Sequence, residues 1–231
     1  MNRFITTQIG SLPHDTVEDA IDYSLRHDIP FLPELHARND TMLEYIKTPG
    51  KLSCLKEFKK RKFDKVKVQC VGPATLVTEG YDRSEAIERA YLHIDAILNG
   101  LVANEVILFL DEPALGTVTF DFVELWAPII SSFDVVFGVH TCGNMQWDQL
   151  FNSDLDIISF DASQFGNIFT IDPSYRNNKR VAWGIKGASD VKDFRPDDLL
   201  TLPCGMQRKF YSIEDAERNL NMLREAASQY A

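Results

Sequence analysis

Cysteine is scarce in this chain of 231 residues: there are four, Cys54, Cys70, Cys142 and Cys204, in no regular framework. That excludes a disulfide-rich secreted scaffold and leaves packed thiols, metal ligands or catalytic groups as the readings of each one. Basic charge is also short, 24 Lys and Arg against 34 Asp and Glu, giving a net charge of −10. Broad contact with nucleic acid or anionic membrane needs a basic surface, so neither is expected as a partner. No run approaches the roughly 18 consecutive apolar residues of a membrane span. The opening MNRFITTQIGSLPHD lacks the apolar core of a signal peptide. A soluble, cytoplasmic protein is the expectation. Missing too are the G-x-G-x-x-G, Walker-loop, G-x-S-x-G and H-E-x-x-H signatures, and with them the dinucleotide, P-loop, serine-hydrolase and zincin readings.

What is present is an alternation running from end to end. Eight β-branched or aromatic runs read as strands: Phe4 to Ile9, Ile29 to Leu32, Lys65 to Val71, Glu105 to Leu110, Asp134 to Val139, Leu155 to Phe160, Arg180 to Ile185 and Leu199 to Leu202. Amphipathic stretches separate them. Asp15 or Thr16 caps a helix running to about His27, Ser84 caps a segment from Glu85 to Val102, and Ser212 with Asp215 forms a capping box for the last helix. Strands alternating with helices over this length predict a single-domain (β/α)8 TIM barrel spanning residues 1–231. In such a fold the chemistry sits where strands end and the following loops begin.

His140 and Cys142 end the fifth run. Residues i and i+2 of a strand share a face, so both side chains can reach one ion at roughly 2.0–2.3 Å. The same spacing also suits a packed thiol beside a hydrogen-bonded imidazole. Cys204, at the end of the eighth run, adds a second sulfur and makes a soft, zinc-suited set. Asp161 is the best carboxylate for a fourth position, with Glu112 and Glu34 as fallbacks. Asp111 and Glu112 close an apolar run as adjacent carboxylates, suited to acid and base roles or to binding an ammonium group, or else exposed to water as an acidic loop. Cys54 and Cys70 read as ordinary buried thiols.

Six pieces in order resemble the catalytic C-terminal barrel of cobalamin-independent methionine synthase and its wider superfamily. They are I-G-S-x-P at Ile9 to Pro13, R-N-D at Arg38 to Asp40, G-P-x-T at Gly72 to Thr75, D-E-P-A-L at Asp111 to Leu115, H-x-C-G at His140 to Gly143 and P-C-G at Pro203 to Gly205. The resemblance implies Zn2+ on His140, Cys142 and Cys204, with Asp161 standing where the synthase has a glutamate. It implies Asp111 as acceptor for the amino group of homocysteine, and Ser11 near that amino acid's backbone groups. Two positions depart from the pattern. A glutamate that touches the amino acid aligns with Leu35, its neighbour Glu34 being the substitute. The aromatic residue expected to stack on a folate ring aligns with Glu79. The function expected is therefore zinc-dependent methyl transfer to a small thiol, most simply homocysteine to give methionine. The donor expected is a methylcorrinoid, free or carried by a partner protein, ahead of a methylated folate. The alternatives are another thiol acceptor, such as a coenzyme M analogue, or a non-catalytic barrel that binds zinc or a corrinoid partner.

Overall fold

The computed structural model describes residues 5–176 and 179–230; Phe4, which opens the first expected strand, lies outside them. Among the described residues eight strands occur in two sheets: β1 (Ser11–Leu12) and β2 (Glu34–Leu35) pair with each other, and β3 (Lys62–Val71), β4 (Val102–Asp111), β5 (Val136–Thr141), β6 (Ile157–Asp161), β7 (Arg180–Gly184) and β8 (Leu199–Thr201) form the second. All pairs are parallel, and the six strands lie side by side in chain order as a half-barrel. The helices among the described residues are α1 (Val17–Ser24), α2 (Met42–Tyr45), α3 (Leu55–Phe58), α4 (Pro73–Thr78), α5 (Arg83–Leu98), α6 (Val123–Ile130), α7 (Trp147–Phe151), α8 (Ala162–Phe165), α9 (Ile168–Ile171) and α10 (Ile213–Ala227). None is long and apolar enough to cross a membrane.

The expected eight-stranded barrel is therefore corrected to a six-stranded parallel sheet plus a two-stranded one. The six later runs become strands. The first two do not: within them Thr6 makes a single bridge to Leu200 of β8, and Phe31 a single bridge to Lys67 of β3. The cause is local competition for backbone groups. Asp28 Oδ2 accepts the amides of Ile5 (3.2 Å) and Thr6 (2.9 Å) as well as the Thr6 hydroxyl, so a side chain takes donors that a ladder would use. Pro30 and Pro33 flank Phe31 and have no amide hydrogen to offer a ladder.

Helix ends follow their caps. Thr16 caps α1 by accepting from the Asp19 amide, and Ser212 and Asp215 form the expected capping box on α10. The N-cap of α5 is Asp82 rather than Ser84, and the helix stops at Leu98, before Gly100 turns to φ +80° and the chain enters β4.

Period two divides the sheet into faces. Val66, Val68 and Cys70 of β3, with Leu108 and Leu110 of β4, join the large core beneath the helices. Ile107, Phe109, Ile157, Ala182 and Leu199 form a second cluster with Ile29 in the hollow of the half-barrel. Gly138 of β5 makes room for it, since a Cβ there would lie 2.5 Å from the Phe109 ring. Gly138→Ala is expected to cost about 1–3 kcal/mol by overpacking, measured as a lowered urea midpoint with an unchanged slope.

Candidate metal centre

The parity that packs Gly138 against Phe109 carries on up β5, so His140 and then Cys142 lean to the same side. Cys204, beyond β8, arrives from across the sheet. Gly205 lets that loop close in: a Cβ there would sit 2.7 Å from Ser11 Cβ, and the Met206 amide donates to the Ser11 carbonyl at 2.9 Å. As a result the His140 nitrogen and the Cys142 and Cys204 sulfurs all lie within 4.8 Å of one another. Cys142 Sγ is 3.7 Å from His140 Nε2 and 3.5 Å from Cys204 Sγ, and both cysteines are free thiols. Ligands of one tetrahedral ion at roughly 2.0–2.3 Å stand roughly 3.3–3.8 Å apart, and both separations from Cys142 fall in that range, so these three residues could hold a metal.

The imidazole is set by its second nitrogen. His140 is buried and its Nδ1 faces Ser159 Oγ of β6 at 3.1 Å; with the proton on Nδ1 donated to that oxygen, the Nε2 lone pair points toward the sulfurs. The contact between the two sulfurs holds the Cys204 thiol well below its ordinary range, helped by His140, and with burial raises Cys142.

A cavity of about 470 Å³ opens beside the sulfurs, lined by Cys142, Cys204, Asp161, Gln164, Lys186 and Tyr211 among others. Asp161 thus reaches the cavity wall but not the cluster of three. Its Oδ1 accepts the amide (3.0 Å) and hydroxyl (2.5 Å) of Ser163, capping α8, and its Oδ2 accepts from Gln164 at 2.5 Å.

Asp111 and Glu112 do not act as a pair, because neighbours on a strand face opposite ways. Glu112 turns to the helices: it accepts the amides of Ala74 (3.0 Å) and Thr75 (2.6 Å), the Thr75 hydroxyl (2.7 Å) and the Trp126 indole (2.8 Å). It anchors the start of α4 and has no lone pair to spare for acid or base work. Asp111 turns inward, 1% exposed, with Oδ1 unpartnered among the described residues. Burial raises its pKa, opposed by Lys67 and His140.

Glu34, like Asp111, faces the hollow. It is buried, accepts from Gln69 Nε2 at 2.9 Å, and is pushed up to about 8 by burial and by Asp111. Leu35 joins the large core. Ser11 Oγ lies 3.0 Å from His36 Nε2 at the rim beside Cys204. Sequence reasoning missed Lys67 and Gln69, both fully buried on β3, and Tyr211 on the cavity wall. A signal for the first two exists: they are polar at alternate positions of V-K-V-Q-C, an otherwise apolar strand. Cys54 and Cys70 are buried free thiols, as expected, and burial raises both.

Comparison with known proteins finds no family model that matches the chain and no curated protein that matches it.

Two outcomes follow from the carboxylates. Glu112→Ala orphans four buried donors and should cost about 3 kcal/mol or more in chemical denaturation. Folded Glu34 keeps its proton to about 8 while an unfolded glutamate releases it near 4.5, so the folded state binds more protons in that window. Stability should fall as pH rises through it, and Glu34→Gln should make the decline shallower in melts taken across the range.

Proposed function

We propose that this protein is a zinc-dependent thiol S-methyltransferase, with homocysteine as the acceptor and methionine as the product. The observation that carries the reading is the convergence of His140, Cys142 and Cys204 within 4.8 Å beside an open cavity. The unpartnered Oδ1 of buried Asp111 supports it from the floor of the site. One imidazole and two sulfurs are a soft donor set suited to zinc, and three protein ligands leave a position for an outside group, as in catalytic rather than structural sites. The ordered resemblance of the strand ends to methionine synthase points the same way. A zinc ion on these residues would act as a Lewis acid, lowering the pKa of an incoming thiol from its ordinary value near 8.5.

The chain's own residues then bind and orient. Asp111, with Glu34 beside it, receives the ammonium group of the acceptor, which fixes the amino acid end and aims its sulfur along the cavity. Methyl transfer forms one sulfur–carbon bond and breaks the donor's bond to the methyl group. The thiol's proton goes to solvent beforehand, the donor departs with the electron pair of its broken bond to the methyl carbon, and positioning supplies the remainder of the advantage without a covalent enzyme intermediate. Glu112, held by its four donors at the start of α4, takes no part in the transfer. For the donor we favour a methylcorrinoid presented by a partner protein over a methylated folate, because Glu79 occupies the stacking position. The cytoplasm suits two exposed or half-exposed thiols that must stay reduced. An acceptor lacking an amine, such as a coenzyme M analogue, would leave Asp111 without a partner.

Metal analysis is the first test: wild type should carry about one zinc per chain, and His140→Ala and Cys204→Ser under a tenth of that. Zinc-loaded protein given homocysteine with methylcobalamin or methylfolate should yield methionine. Absence of product from both donors sinks the catalytic reading, and Asp111→Asn should weaken only amine-bearing thiols.

A further inference from the structure

The interior face of β3 holds a charge for which the proposed reaction has no use so far. Lys67 is fully buried, in the layer directly below the polar floor of the site. Its Nζ donates to Gln69 Oε1 at 3.0 Å and lies 4.7 Å from the centroid of the Phe109 ring. Gln69 continues the chain, its Nε2 donating to the Leu32 carbonyl (2.8 Å) and to Glu34 Oε1 (2.9 Å). The fit is close on both sides. A Cβ at Gly10 would lie 2.0 Å from Gln69 Nε2, and Gly138 leaves the space that Phe109 fills.

An amide has one accepting and one donating end. Because the ammonium of Lys67 can only donate, it fixes Oε1 of Gln69 toward itself and therefore Nε2 toward Glu34. Lys67 at one end of the amide and the Leu32 carbonyl at the other agree on that orientation, which presents the Gln69 donor to Glu34. Among the described residues the Lys67 ammonium has no tight ion pair, and burial lowers it to about 8, opposed by Asp111 and Glu34. The other groups facing Glu34 are Asp111 from β4, Tyr45 from α2, Cys70 from β3, and Asp40 and Cys54 from the loops; none of them is cationic.

We propose that Lys67 is a positioning residue of the site: through Gln69 it fixes the Glu34 carboxyl beside Asp111 and lowers the cost of ionising Glu34 when a cationic ligand head arrives. Its consequence for ligand selection rests on the reading of that floor as the seat of an ammonium group. Its effect on Glu34 does not.

The test separates the two. The Glu34 carboxyl is titrated by 13C NMR in wild type and in Lys67→Met. The midpoint should rise by at least about one pH unit in the variant, at unchanged zinc content. A folded variant with an unmoved midpoint overturns the proposal. Should Lys67→Met fail to fold, Gln69→Leu keeps the lysine and cuts the relay, with the same rise expected and the same overturning result. In wild type itself, the Lys67 Nζ and Glu34 carboxyl signals should each report the other's titration; independent curves overturn the proposal without any variant. In the second arm, dissociation constants of homocysteine and of its amine-free analogue 4-mercaptobutanoate are read from the thiolate absorption of cobalt-loaded protein. Lys67→Met should weaken homocysteine at least ten-fold and the analogue less than two-fold; equal weakening of both overturns the selective role. If wild type does not prefer homocysteine, the methyltransferase reading fails, while the titration still decides on Lys67.

Discussion

Strand parity is the constraint on which the site depends. On β5 a single alternation places Gly138, His140 and Cys142 on one side, and each of the three has a different task. Gly138 admits the Phe109 ring, His140 is aligned by Ser159, and Cys142 reaches Cys204. A shift of one residue in the register against β4 and β6 would turn all three toward the helices. The packing of the hollow and the assembly of the cluster are therefore one event, since the ladder that pairs Asp111 with His140 and His140 with Ser159 fixes both.

The same rule separates what was legible in the sequence from what was not. The six later strands could be read because their β-branched and aromatic runs face apolar surroundings on both sides, so local pattern and tertiary position agree. The first two runs carry similar residues, yet their ladder is cut by Asp28, which accepts the amides of Ile5 and Thr6, and by the prolines around Phe31. Pattern alone does not reveal a side chain that competes from 22 residues away. His140 and Cys142 were legible from their spacing, and Cys204 from its place at another strand end. Reading Asp111 with Glu112 as partners overlooked parity, for adjacent residues on a strand serve different masters. Here one serves the hollow and the other the start of α4. Lys67 and Gln69 obey the alternation that betrays an interior polar row, but a lysine in a strand is ordinarily taken for a solvent-facing one.

Placing the polar groups above an apolar plug has a cost that helps to explain their arrangement. Ile107, Phe109, Ile157, Ala182 and Leu199 fill the hollow below, so Lys67, Glu34 and Asp111 have little water to draw on. The structure meets most of that cost with hydrogen bonds. Gln69 satisfies Glu34 and Lys67 together, and Glu112 collects four donors. Asp111 Oδ1 is one of a few buried oxygens without a donor among the described residues, and it is the carboxylate among them that pairs with His140 in the ladder.

The charge around the sulfurs argues in the same direction. Asp111 and Asp161 both disfavour a negative charge on Cys142, while Cys142 and His140 together favour one on Cys204. The sulfurs are 3.5 Å apart, and full ionisation of both would place two thiolates beside two carboxylates. A divalent cation held by the two sulfurs would offset the charge of both thiolates. A disulfide, which requires sulfurs roughly 2.05 Å apart, does not join them: both are free thiols. Gly205 and the bond from Met206 to Ser11 hold the loop after β8 where the sulfurs converge without joining, an arrangement suited to gripping an ion from two sides.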